Sequence, residues 1–283
     1  MKLNLLITGG LGYIGSFTAK KYLRKTKKKS LVIDNLSRGN SFAKKYSHNN
    51  IIDISNSKLT KIIEKNKIDT IIHLASFTCV RESIKKKQKY FKNYKSQIKF
   101  IENVKKTNIR HFIFSSSLSV FEKNKFKKNL SPYSTYKLKI EKYLKKVSSK
   151  NFKVIILRYP NIIGSDPSGK LGENNNFISR IVPLFYKKLV KRKKIILYYD
   201  YRRKTYPSRN YMHVQDIANI NFEVLENLKK FKKKYHIFNI QNNKEYSNFE
   251  VLKSLSKIVD KKPFFSLKQI NKKESINQLY KSK

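Results

Sequence analysis

The chain is short of the residues that cross-link or sharply bend a small protein. Its 283 residues hold 1 Cys, no Trp, 8 Gly, 6 Pro and 2 Met. A lone Cys79 excludes a disulfide framework and a cysteine-built zinc site. The 5 His are scattered, so no metal centre is expected. No apolar run approaches the roughly 20 residues of a membrane span, and the run from Met1 to Ile7 is too short for a signal core. The expectation is a cytoplasmic protein with no membrane partner. Acid is scarce as well: 18 Asp+Glu stand against 65 Lys+Arg, a formal charge of +47.

That charge invites a nucleic-acid reading, but the lysines are spread over almost every predicted helix and loop. Asn, Ile, Phe and Tyr are also abundant, the residues of A/T-rich codons. Codon bias laid over an ordinary fold accounts for the excess, and nucleic acid is not expected as a partner. With 39% hydrophobic and 13% aromatic residues, the chain is too apolar for a disordered basic tail.

Strand-like and helix-like segments alternate along the first half. Leu3 to Ile7, Ser30 to Asp34, Asn50 to Asp53, Thr70 to Leu74, His111 to Ser115 and Lys153 to Leu157 read as strands. Gly12 to Lys25, Asn56 to Lys67, Lys87 to Lys106 and Tyr133 to Lys146 read as helices. This rhythm predicts an α/β fold with a doubly wound parallel sheet. After Arg158 the rhythm weakens and prolines recur. We therefore expect a nucleotide-binding domain over 1–160 and a smaller α+β substrate-binding part over 161–283, shortened at its C-terminus.

In a glycine-poor chain, Gly9, Gly10, Gly12 and Gly15 fall within seven residues of each other. The segment Thr8-Gly9-Gly10-Leu11-Gly12-Tyr13-Ile14-Gly15 satisfies G-x-G-x-x-G, follows a strand and opens a helix. That context turns a weak motif into a dinucleotide site: the turn needs positive φ, and bare backbone lets a diphosphate reach the helix N-terminus. Asp34 ends the second strand about 20 residues further on, placed to bond the adenosine ribose hydroxyls. A carboxylate there repels a 2′-phosphate, which favours NAD over NADP, although Arg38 nearby leaves the second open.

Tyr133 has Lys137 four residues after it, on the same face of a helix that opens at Ser131-Pro132. Ser115, Ser116 and Ser117 end the preceding strand, and ligands of open α/β sheets sit at strand carboxyl ends. A free phenol has a pKa near 10 and is a poor base at neutral pH. A neighbouring ammonium favours the phenolate, while a serine hydroxyl can hold the substrate oxygen as its proton leaves.

Together these residues resemble the extended short-chain dehydrogenase/reductase family, in particular its NAD-dependent epimerase/dehydratase members. The resemblance covers almost the whole chain. It takes in Thr8 to Ser16, Asp34-Asn35-Leu36-Ser37, Asp53-Ile54, Ile72-His73-Leu74-Ala75, Val80-Arg81-Glu82-Ser83 and Tyr90 to Asn93. It continues through Ser115 to Val120, Ser131-Pro132-Tyr133, Leu157 to Asn161, Gly164 to Glu173 and Arg209 to Asp216.

The resemblance implies 4-epimerisation of a UDP-hexose, UDP-galactose or UDP-glucose, through a transient 4-keto sugar. Tyr133 would be the base, Lys137 its tuner and a nicotinamide-ribose ligand, and Ser117 the partner of the sugar oxygen. Gly9, Gly12, Tyr13, Ile14, Gly15, Asp34, Asn35, Asp53, Ile54, Ala75, Asn93 and Ser115 would line NAD. Asn161, Asn176 and Arg209 would hold the UDP moiety. A homodimer would pair through the helices Lys87–Lys106 and Tyr133–Lys146.

This chain departs from the family pattern at Thr78, Val120-Phe121-Glu122, Ser134, Tyr136, Asn210 and Lys272 to Ile276. Two other readings stay open. A 4,6-dehydratase needs a carboxylate pair where Leu118 and Ser119 stand. A non-catalytic member would use the basic surface to bind nucleic acid.

Overall fold

The computed structural model describes residues 4–121, 130–173 and 180–269. The chain divides into two compact units, residues 1–174 with 213–240, and residues 175–212 with 241–283.

In the first unit, strands β1 (Leu5–Thr8), β2 (Ser30–Asp34), β3 (Ser47–Ile51), β4 (Thr70–His73), β5 (His111–Ser117), β6 (Lys153–Tyr159) and β10 (Tyr235–Asn239) form a seven-stranded sheet. Its order is β10-β6-β5-β4-β1-β2-β3, and every pairing is parallel. β1, β2 and β4 are buried along their whole length. Burial on both faces explains why these strands read as continuous apolar runs. Helices α1 (Tyr13–Thr26), α2 (Leu59–Lys65), α3 (Val80–Lys85), α4 (Lys87–Lys105), α5 (Pro132–Val147) and α7 (Val214–Glu226) complete the layers, with the short strand β7 (Asn161–Ile163) following β6. Phe100 and Val104 of α4 and Ile140 and Leu144 of α5 pack with Ile71, Phe112, Val154 and Ile156 of the sheet. This is the doubly wound α/β fold that the alternation predicts.

Two elements start three residues from where they are expected. The third strand spans Ser47–Ile51 rather than Asn50 to Asp53, with Ser30 opposite Ser47 and Asp34 opposite Ile51. Ser47-His48-Asn49-Asn50 is too polar to read as a strand, and pairing with β2 decides its register. The second helix starts at Leu59, not Asn56, because the Asn56 side chain accepts the Lys58 amide at 2.9 Å and closes a turn instead.

The second unit contains α6 (Ile181–Val190), β8 (Ile195–Tyr199), most of β9 (Ser208–His213), β11 (Glu245–Ser247), α8 (Asn248–Val259) and β12 (Phe265–Gln269). β12 runs parallel to β8 and β11 antiparallel to β9. Its core is small: Phe185, Leu189, Ile195, Leu197 and Leu252. Asn210 is buried and structural. Its amide nitrogen donates to Asn242 O at 2.6 Å, and its oxygen accepts the Asn242 amide at 2.8 Å.

Candidate active site

The sheet order reverses at β1, which lies between β4 and β2. The crevice at the carboxyl ends of such strands is where α/β folds bind ligands. The glycine loop sits there. Gly9 has φ +68°, and a Cβ on it would lie 2.7 Å from Ala75 N. A Cβ on Gly15 would lie 2.2 Å from Gly9 O, so the helix start presses directly on the turn. Gly12 differs: its Cβ would meet only Gly9 O, at 3.1 Å. Gly12 is also the N-cap of α1, without a side chain to cover the first turn, and that turn carries no acid. A bare helix N-terminus without an acid in its first turn suits a diphosphate. Tyr13 and Ile14 follow, half-buried, and the Tyr13 hydroxyl donates to Gly164 O.

Asp34 stands at the end of β2 and is 8% exposed. Its carboxylate accepts amides from Leu11 at 3.0 Å and Leu36 at 2.8 Å, tying β2 to the glycine loop. Burial raises its pKa, against these amide bonds and one from Gly12. Asn35 donates to Asp53 Oδ2 at 2.7 Å. Burial raises the Asp53 pKa too, but hydrogen bonds from Ser55 and Asn35 outweigh it and the net shift is downward. Ile54 is buried beside Asp53. Asn93 on α4 accepts the Phe77 amide at 3.4 Å and the Gln97 side chain at 2.9 Å. The residues present therefore fit a dinucleotide: a cradle without side chains for the diphosphate, and a carboxylate one strand over for the ribose.

β5 and α5 supply the ionisable groups. The Ser131 hydroxyl caps α5 by accepting the Ser134 amide at 3.2 Å, and Pro132 occupies the first turn. This places Tyr133 in the first turn, 7% exposed, and Lys137 one turn on, 3% exposed. The Lys137 ammonium donates to Ser115 O at 2.7 Å and lies 4.6 Å from the centre of the Phe114 ring. Burial pulls its pKa down to about 7, against the opposing charge of Glu141. Tyr133 and Lys137 line a cleft shared with Phe77, Tyr90, Asn93 and Gln97. Ser115 donates to His73 O at 2.9 Å, and the Ser117 hydroxyl accepts the Ser119 amide at 3.2 Å.

Asn161 begins β7 and is exposed. Arg209 lies on β9 of the second unit, and its guanidinium donates to Ser208 O at 2.7 Å. Asn176 and Lys272 to Ile276 lie outside the described residues.

Sequence reasoning misses the groups behind Lys137. Glu141, 2% exposed, accepts the Ser116 hydroxyl and two guanidinium N–H groups of Arg158, at 3.0 and 2.6 Å. The available signal was position: Glu141 follows Lys137 by one turn, and acids are few. His73 is also buried, stacked among Phe100, Phe112 and Phe114, with Nδ1 2.7 Å from the Thr8 hydroxyl. Burial, aided by the charge of Lys137, lowers its pKa to about 3, so it stays neutral beside the ammonium.

The sheet and the glycine loop define an α/β fold of the dinucleotide-binding type. The NAD dependent epimerase/dehydratase family profile matches residues 5–240, and the chain belongs to that family. NAD is its cofactor. The chain is 33% identical over 256 residues to the UDP-glucose 4-epimerase of Yersinia enterocolitica, covering 80% of this chain and 74% of that protein. The structure of UDP-glucose 4-epimerase from Brucella ovis in complex with NAD superposes with a TM-score of 0.86 at 25% identity, over 96% of this chain and 87% of that one. The UDP-Glc/GlcNAc 4-epimerase of Campylobacter jejuni gives 0.81 at 26% identity, over 97% and 89%. Among the described residues no helix is long and apolar enough to cross a membrane.

Proposed function

We propose that the chain inverts C4 of a UDP-hexose, interconverting UDP-galactose and UDP-glucose through a 4-keto sugar. The observation that carries this is Lys137, a buried ammonium held at the end of β5 one helical turn from Tyr133, on the same sheet as the glycine loop.

Bound NAD supplies the acceptor, and then the donor, of the C4 hydrogen. Tyr133 takes the proton of the C4 hydroxyl and later returns one to the new alcohol. Lys137 stabilises the phenolate by its charge and binds the nicotinamide ribose. Ser117 holds the C4 oxygen by a hydrogen bond. Gly9, Gly12, Tyr13, Ile14 and Gly15 carry the diphosphate of NAD. Asp34, Asn35, Asp53 and Ile54 hold its adenosine end, and Ala75, Asn93 and Ser115 the rest of the cofactor. Asn161 and Asn176 take the UDP moiety, with Arg209 on its diphosphate. Leu118 and Ser119 offer no carboxylate pair for eliminating water, which disfavours a 4,6-dehydratase. We also propose a cytoplasmic homodimer paired through α4 and α5, where Phe91 is 40% exposed and its ring contacts Tyr94 and Tyr136.

Deuterium at C4 of UDP-galactose tests the reaction. The label should stay in the UDP-glucose formed, because the hydrogen leaves and returns within one site. Washout of label, release of free NADH, or a 4-keto-6-deoxy sugar would each overturn the epimerase reading. Parallel turnover of UDP-N-acetylglucosamine would widen the substrate class.

A further inference from the structure

Two loops flank the glycine loop at the carboxyl edge of the sheet. β1 lies between β2 and β4, and neighbouring strands run about 4.8 Å apart. The loops leaving β2 and β4 therefore start roughly 10 Å apart, one on either side of the crevice above Gly9–Gly15. Both stay close to that crevice. After β2, the Asn40 amide donates to Leu11 O at 2.8 Å. A Cβ on Gly39 would stand 3.2 Å from Leu11 Cβ and 3.3 Å from Asp34 Oδ1. After β4, Ala75 packs on Gly9 closely enough to exclude any side chain there.

Arg38, in the loop after β2, meets Glu82 on α3, the helix that follows the loop after β4. An Nη2–H of Arg38 donates to Glu82 Oε2. Lys89 donates to Oε1 at 2.8 Å, and the Tyr90 hydroxyl lies 3.0 Å from Oε2. Phe77 sits under both cations, its ring centre 5.4 Å from Arg38 Cζ and 4.2 Å from Lys89 Nζ. Glu82 is 18% exposed and Arg38 27%. Burial raises the Glu82 pKa, but bonds from Lys89 and Arg38 outweigh it and bring it to about 2, so the link is ionised at any working pH. Two cations and one anion leave the cluster net positive beside a crevice built for a diphosphate. An isolated surface pair would do little. This one is a four-group network joining segments that begin on opposite sides of the cofactor crevice.

We propose that the Arg38–Glu82 pair is a strap that closes the dinucleotide groove over the glycine loop and retains NAD. The proposal rests on the NAD assignment and is independent of which sugar the enzyme converts. Arg38 then acts on retention of the cofactor rather than as a receptor for a 2′-phosphate, because its guanidinium is committed to Glu82.

The test is the release rate of labelled NAD from the full-length holoprotein after a chase with excess unlabelled NAD. Arg38→Ala and Glu82→Gln should each speed release about tenfold, since related complexes differ mainly in their dissociation rates. The double variant should release no faster than the singles, because either change breaks the same link. Exchanging the charges, Arg38→Glu with Glu82→Arg, should slow release again. A folded Arg38→Ala protein that releases NAD at the parental rate overturns the strap. So does a double variant whose effects multiply, since each residue would then act alone. If Arg38→Ala does not fold, Glu82→Gln, which keeps the side chain's size, carries the measurement. A parent protein that neither contains nor takes up NAD would overturn the cofactor assignment, and the strap with it.

Discussion

The glycine loop and the corner between β5 and α5 belong to one sheet edge, yet they are built in opposite ways. At the loop the chain leaves side chains out. Gly9 and Gly15 are glycines because backbone stands 2.7 and 2.2 Å from where a Cβ would be, whereas a Cβ on Gly12 would meet only Gly9 O, at 3.1 Å. At the corner the chain buries ionisable side chains. Lys137, Glu141, His73 and Tyr133 are all nearly inaccessible, and each buried charge has to be compensated locally. The first region binds by shape and backbone dipole. The second shifts protonation states by burial, pulling Lys137 down to about 7 and His73 to about 3.

The comparison breaks most visibly at Tyr133. Tyr133→Phe keeps the ring and its packing, so the protein should fold and carry NAD. Loss of the base should lower kcat by about 10²–10⁴-fold. Steady-state rates together with bound NAD measured on the same sample check both halves, and an unchanged kcat would remove Tyr133 from its role.

Within the glycine loop, two substitutions should separate folding from binding. Gly15→Ala drives a Cβ into Gly9 O and should destabilise the protein by about 1–3 kcal/mol or more, seen as a lower Tm. Gly12→Val meets far less and should melt close to the parent while losing its NAD. Equal melting losses in both variants would mean that Gly12 is structural as well.

A gentler probe sharpens the corner. The folded-state pKa of Lys137 is about 7, well below its ordinary value of 10.5. Between those values the unfolded chain binds the extra proton, so stability rises with pH across this window. The cost of charging Lys137 is present in full below pH 7 and gone above about 10.5. Lys137→Met should therefore be more stable than the parent at pH 6, by up to a few kcal/mol at roughly 1.4 per pKa unit. The advantage should shrink steadily as pH rises. Denaturant melts of the NAD-free proteins from pH 6 to 10 give the slope, and a pH-independent difference would contradict the buried charge.

Much of the loop was legible because glycine is rare here and its spacing has one geometric use. The pair Tyr133 and Lys137 was legible for a similar reason: four residues on a helix is one face. The strand Ser47–Ile51 was not, because its polar residues show no alternation and only pairing with β2 sets its register. Nor was β10, which joins the sheet beside β6 after a long excursion of the chain. The bonds from Glu141 to Arg158 and from Glu82 to Arg38 link residues far apart in sequence. The sequence singles out Arg38 for a 2′-phosphate rather than for Glu82, and nothing in it pairs Arg158 with Glu141.

The carboxylates of the first unit carry a consequence of their own. Asp34, Asp53, Glu82 and Glu141 are each tied to amides, amide side chains or cations, and Asp166 holds Lys20 at 2.9 Å. With only 18 acids in the whole chain, most of the surface has no negative charge to spare as decoration. A lysine-rich composition of this kind acts like a sieve. An acid on an open surface can be exchanged for lysine at little cost, whereas an acid wedged among amides and guanidinium groups cannot. In such a protein a carboxylate tied in this way is a landmark, and these five mark joints of the first unit.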